Sequence, residues 1–240
     1  MLIKTAGIVL HTIKYSDTST IVTTYTRDFG RVSYLVHGAN KKKSNFRAAL
    51  FQPFSLLEMD VYHAPGKDLQ RIKEIQVAYP FCSIPYNPVK NAMALFLCEV
   101  LYRTLKQSEP DEGLFSFLEE SLVRLDKCEK GTPNFHLVFL VKLSRLLGFG
   151  PNEDEEPTQY FDLMNGVFVP ARPLHTHYLQ PELSADFVAL LRADYDTMQA
   201  IPLTRQKRFS LLESLMDYYR LHVPEFHGVQ SLAVLQTLFD

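Results

Sequence analysis

Residues 7–37 read GIVLHTIKYSDTSTIVTTYTRDFGRVSYLVH, and three β-strands can be traced in them. Residues 7–14 and 19–26 are rich in β-branched side chains and flank the turn-prone Tyr15-Ser16-Asp17-Thr18. Residues 31–37 follow a tight Asp28-Phe29-Gly30 connection, where glycine takes a positive φ without steric penalty. The two-residue period puts Val32, Tyr34 and Val36 on one face of that third strand. Two more strands, 54–62 and 69–77, are joined by His63-Ala64-Pro65-Gly66-Lys67-Asp68, a hairpin composition. Five short strands in about 80 residues fit the size of an OB-fold, a small Greek-key barrel. An SH3-like barrel is the competing reading, and strand count does not separate the two.

Pro80, Pro85 and Pro88 then punctuate the chain, and beyond them the apolar period lengthens to about 3.6. Helices are expected over 89–107, 111–128, 133–147, 182–198, 204–223 and 229–239. An irregular insertion, 150–181, contains a hairpin over 160–169 turning at Asn165-Gly166. The expected fold is α+β in two domains: an OB barrel over 1–80 and a helical domain over 81–240.

The chain has 240 residues, 46% hydrophobic and 22% charged, which excludes wholesale disorder. Cys82, Cys98 and Cys128 are too few and too scattered for a disulfide framework and read as buried structural thiols. No signal-type apolar core opens the chain and no stretch reaches 18 apolar residues, so a cytoplasmic, nucleoid-associated protein is expected. The net charge of −2 hides a division: residues 1–80 hold 11 basic and 6 acidic side chains, and residues 81–240 hold 14 and 21. Such segregation fits a basic module for a polyanion joined to an acidic module with another task.

Signatures of the common catalytic classes (P-loop, GxGxxG, GxSxG, HExxH) are missing, so no enzyme activity is expected. His175 and His177 form an HxH that would point both rings the same way on a strand, but a metal site there needs a third ligand. The run Glu153-Asp154-Glu155-Glu156 reads as a solvated loop rather than a magnesium site. The informative stretch is GANKKKSNFR at 38–47, which puts four cations and one aromatic between predicted strands. Lys41, Lys42, Lys43 and Arg47 have no acid nearer in sequence than Asp28 and Glu58, and unpaired cations of this kind attract phosphate. Arg27, Arg31, Arg71 and Lys73 add to the same module, with Tyr34 and Phe46 as candidates to stack on unpaired bases. Tyr25 is a further stacking candidate, and core packing is the alternative for both tyrosines.

Several segments together resemble one known family. They are Thr5-Ala6-Gly7-Ile8-Val9-Leu10, Tyr15-Ser16-Asp17, Thr26 to Gly30, His37-Gly38-Ala39-Asn40-Lys41 and Leu50-Phe51-Gln52-Pro53-Phe54. Their order and spacing resemble the bacterial recombination mediator RecO family, with fainter matches at Leu146-Leu147-Gly148-Phe149-Gly150, Lys207-Arg208-Phe209 and Leu232. The resemblance implies an OB-fold and a helical domain that bind single- and double-stranded DNA and anneal complementary strands. It also implies action with RecR to load RecA onto DNA coated by single-strand-binding protein (SSB), as a monomer and without bond-making chemistry. Many members hold zinc on four cysteines after the Leu-Gly-Phe segment. The matching stretch here has none, so loss of that site is expected, with Phe161, Val167 and Phe168 holding the hairpin instead. The family further implies capture of the acidic, hydrophobic SSB tail by the helical domain. Lys207, Arg208 and Phe209 are the matching candidates, with Lys142 and Arg145 as alternatives. Two other readings remain: a protein-only adaptor, and a metal-dependent nuclease using the acidic run and HxH.

Overall fold

The computed structural model describes residues 1–37, 48–106, 109–152 and 159–238. Five strands, Leu2–Lys14 (β1), Ser19–Thr26 (β2), Gly30–His37 (β3), Leu56–Tyr62 (β4) and Leu69–Tyr79 (β5), form a closed barrel in the order β1-β2-β3-β5-β4. β1 closes it, running antiparallel to β2 on one edge and to β4 on the other. The β3–β5 seam is a two-residue parallel contact, Ser33 opposite Leu69 and Tyr34 opposite Gln70. Alternation drives Val9, Val22, Val32, Tyr34, Val36, Leu57, Met59 and Val61 inward, where Phe51 of the 3-10 turn Ala48–Phe51 plugs the core. Gly30 turns the β2–β3 hairpin at φ 62°, and the Thr26 hydroxyl braces it by donating to the Gly30 carbonyl and accepting from the Phe29 N–H.

β1 begins at Leu2, five residues before the sequence pattern suggests, because β4 pairs with its first half. Bulges interrupt β1 at Leu10 and β5 near Lys73. The second lets Ile72 and Ile75, three apart in sequence, both turn toward the core.

The chain divides into compact units Met1–Asp126 and Lys127–Asp240. The sequence period changes near residue 80, yet the first unit runs on because two helices pack on the barrel: Pro88–Thr104 (α1) and Glu112–Lys127 (α2). Asn87 caps α1, accepting from the N–H groups of Val89 and Lys90. Cys98 of α1 is buried and donates to the Leu10 carbonyl at 3.0 Å, a group the β1 bulge frees from the ladder. Burial pushes its thiol up to about 12. Cys128 is half-buried, whereas Cys82 is exposed, against the expectation of a buried thiol. Asp126 fastens the proline-rich connection, its carboxylate accepting from the N–H groups of Cys82, Ser83 and Ile84 at 2.7–2.9 Å.

The second unit is built from Phe135–Leu146 (α3), a three-stranded sheet of Tyr160–Asp162 (β6), Val167–Val169 (β7) and Tyr178–Leu179 (β8), then Pro181–Arg192 (α4), Arg205–His222 (α5) and Leu232–Leu238 (α6). α4 stops six residues before the expected end. Asp194 there accepts from the N–H groups of Asp196 and Thr197, an Asx turn that competes with the helix. Among the described residues no helix is long and apolar enough to cross a membrane.

Candidate nucleic-acid interface

Cross-strand register sorts the outer face of β1-β2-β3 into rows: Tyr25–Arg31, then His11–Thr23–Ser33, then Ile13–Ile21–Leu35, then Ser19–His37. The first row is covered. Tyr25 is 0% exposed, lies 6.4 Å from the Phe115 ring of α2 and donates its hydroxyl to the Glu109 carbonyl. Arg31 donates to the carbonyls of Tyr102 and Leu105 at the carboxyl end of α1, with its guanidinium 4.4 Å from the Tyr102 ring centre. Beyond it His11 lies against Tyr102 and Thr23 and Ser19 are buried, and only toward the far end does the surface open, with Ile13 48% exposed and Tyr15, just past β1, 63%. The chain leaves this open end at His37, whose ring bonds the Ser19 hydroxyl at 2.8 Å. It returns through Ala48–Phe51, where Thr12 donates to the Phe51 carbonyl. Lys41, Lys42, Lys43, Phe46 and Arg47 lie outside the described residues, as does the acidic run 153–156.

Several expected contact residues are committed elsewhere. Tyr34 is 0% exposed in the barrel interior and has no surface from which to stack on a base. Its β3 parity with Val32 and Val36 explains this, and burial raises its phenol well above the ordinary range. Arg31 caps a helix and is not free to meet phosphate. Arg27 pairs with Glu119 at 3.2 Å and lies over Phe115, in a half-exposed pair of little energetic weight. Lys73 is exposed on the β5 bulge, 3.7 Å from Glu74. Arg71 is exposed, with no ion-pair or hydrogen-bond partner among the described residues.

A groove of about 530 Å³ lies over β1, β4 and β5, lined in part by Lys4, Arg27, Asp28, Glu58, Asp60 and Glu74. Four carboxylates against two cations make it the wrong sign for a polyanion. The row beyond it, Leu2–Tyr62–Arg71, is different: Tyr62 is 48% exposed and directly opposite Arg71. Sequence reasoning passed over Tyr62 and Tyr15. The signal for Tyr62 was its parity with Glu58 and Asp60, which marks it as outward-facing.

In the second unit, Lys207 pairs with Asp186 of α4 at 2.7 Å, and this bond holds its ammonium above the ordinary range. Arg208 donates to the Asn134 side chain and the Leu203 carbonyl, and Arg145 to the Leu191 carbonyl. These three cations are therefore engaged within the unit rather than presented to a carboxylate ligand. Lys142 faces the Tyr195 ring at 5.8 Å, and Phe209 is half-buried.

The small sheet is held by Phe161 and Phe168, whose rings meet each other, and the Phe161 ring also meets Phe187 and Tyr218; Val167 is half-buried. A zinc ion does not fit the donors present. No cysteine occurs here, and the Asp162 carboxylate already accepts from the N–H groups of Met164 and Asn165 and from the Asn165 amide. His175 and His177 lie on a loop, not a strand, with ring centres 6.4 Å apart; His175 meets Asp162 at 3.3 Å and accepts from the His177 N–H.

A small closed five-stranded barrel followed by a helical unit is an OB-fold protein with a helical extension, and comparison with known proteins gives the family. Residues 1–81 match the family model Recombination protein O N terminal, and residues 85–230 match Recombination protein O C terminal. DNA repair protein RecO of Phocaeicola vulgatus is 46% identical over 241 residues, covering the whole of both chains. The protein of that name from Bacteroides fragilis is 46% identical over 242 residues, and that from Azobacteroides pseudotrichonymphae 38% over 241, again end to end. The chain belongs to the RecO family.

Proposed function

We propose that this chain is a recombination mediator that binds single- and double-stranded DNA, anneals complementary strands, and acts with RecR to load RecA onto SSB-coated DNA. The observation that supports the reading most is the match of both halves to the RecO family from end to end. The charge division adds to it, with four of the cations of residues 1–80 concentrated in 38–47 of the sequence. The mechanism is electrostatic. Two strands repel one another through their phosphates, and lysines that replace condensed counterions lower that barrier to pairing. Capture of the acidic SSB tail by the helical unit raises the effective concentration of mediator on coated strands. No bond is made or broken, no metal is required, and the protein works as a monomer in the cytoplasm.

A protein-only adaptor is the second reading, favoured by the internal commitment of the DNA-contact candidates Arg27 and Arg31. A DNA titration at two salt concentrations, with and without magnesium and with a check for cut product, separates the readings. Salt-sensitive binding and annealing of intact strands, independent of magnesium, is the expected result. An absence of DNA affinity supports the adaptor, and cleavage stopped by EDTA supports a nuclease.

A further inference from the structure

Arg71 is an exposed barrel cation with neither an ion-pair nor a hydrogen-bond partner among the described residues. Register places it opposite Tyr62, whose other neighbour in the row is the half-exposed Leu2. Side chains directly opposite on antiparallel strands have Cβ atoms about 5 Å apart, so an uncommitted cation and an uncommitted aromatic ring are adjacent on the barrel's outer surface. A water-exposed phenol ring with no ring partner among the described residues offers a π-face to any flat group. A guanidinium beside it recognises phosphate through paired N–H donors. One ligand presents both a flat face and a phosphate a few ångströms apart: an unpaired nucleotide within a single strand. In a duplex the base faces are stacked on one another and closed to the ring.

We propose that Tyr62 and Arg71 form a contact for one unpaired nucleotide, the base on Tyr62 and its phosphate on Arg71, which favours single strands over duplex. The inference rests on the DNA-binding reading and adds to it a residue that tells the two forms of DNA apart. Neighbouring charges set the direction of the strand. The next row, Lys4–Asp60–Glu74, is net negative and leads into the acidic groove, so the phosphate lies on the Arg71 side. The contact sits at the amino-terminal end of β1, whereas His37 and Phe51, described residues on either side of the lysine segment in sequence, bond Ser19 and Thr12. Its loss is therefore separable from loss of the lysines.

The test measures fluorescence anisotropy of the full chain with a labelled oligo-dT and with a duplex of equal length, for Tyr62→Leu, Tyr62→Phe and Arg71→Ala. Tyr62→Leu keeps the packing on Leu2 and removes the π-face, so single-strand affinity falls about tenfold while duplex affinity stays within twofold. Tyr62→Phe retains wild-type affinity for both. Arg71→Ala weakens both and reduces the salt slope by about one. If Tyr62→Leu binds oligo-dT like the wild type, as an acidic protein partner at this surface would require, the inference is overturned. An equal loss for both DNA forms also overturns it. Wild-type protein that binds neither DNA overturns the underlying DNA-binding reading instead.

Discussion

Tyr34 and Arg31 stand close on β3 and carry groups of the kind that nucleic-acid surfaces use, yet each is spent on the fold. The Tyr34 hydroxyl is buried with no hydrogen-bond partner, a cost of about 1–3 kcal/mol for a desolvated polar group. Tyr34→Phe removes that cost and keeps the ring. Denaturant melts are expected to show stability unchanged or raised by up to about 2 kcal/mol, with DNA affinity equal to wild type. A loss of affinity in this folded variant would mean that the phenol reaches DNA after all. Parity made Tyr34 legible as an inward residue, since Val32 and Val36 share its phase. It could not reveal the fate of Tyr25 or Arg31. Both point outward, and what covers them is Phe115, Tyr102 and Leu105, from helices more than seventy residues further along the chain.

At the scale of elements, the strands were readable because β-branched alternation and turn chemistry agree locally, and β2 falls on the residues the pattern marks. The bulges were not, although Ile72 and Ile75, three apart in a strand, were a clue to the one in β5. Asp126 shows how two elements are joined by one side chain. Its carboxylate suffers from burial, and this is outweighed by three N–H donors and the Ser83 side chain, so its pKa lies below the ordinary carboxylate range. The stability it confers is complete above about pH 4 and is lost as the pH falls further, through the folded-state value. Asp126→Asn is expected to cost about 2 kcal/mol at pH 7, from weakened charge-assisted hydrogen bonds. The gap between variant and wild type in melts is expected to narrow below about pH 4. A gap that stays constant with pH would assign Asp126 to packing alone. The Lys90 ammonium donates to the Asp126 carbonyl and the Ser83 hydroxyl and stays in place in the variant.

On the scale of the whole molecule, the charge division falls at the end of the barrel strands rather than between the compact units, because residues 81–126, which carry α1 and α2 of the first unit, are acidic. The helical unit carries its own pH response. His136 is fully buried on α3, and desolvation, aided by Arg208, lowers its imidazole to about 3. The folded state resists a proton that the unfolded chain accepts near pH 6.5, so stability is full above that value and declines as the pH falls from there toward 3. Replacing His136 with Phe is expected to flatten the decline by up to about 1.4 kcal/mol per pH unit, measured by melts between pH 7 and 4. An unchanged slope would place the response elsewhere. The central claim concerns the lysines at 41–43, and it is tested most directly by titrating labelled single-stranded DNA at two salt concentrations with wild type and with Lys41, Lys42 and Lys43 all changed to Glu. The account predicts salt-sensitive binding by the wild type and a loss of about a hundredfold or more in the variant, with unchanged melting. A folded variant that holds DNA as tightly as the wild type at moderate salt would contradict it.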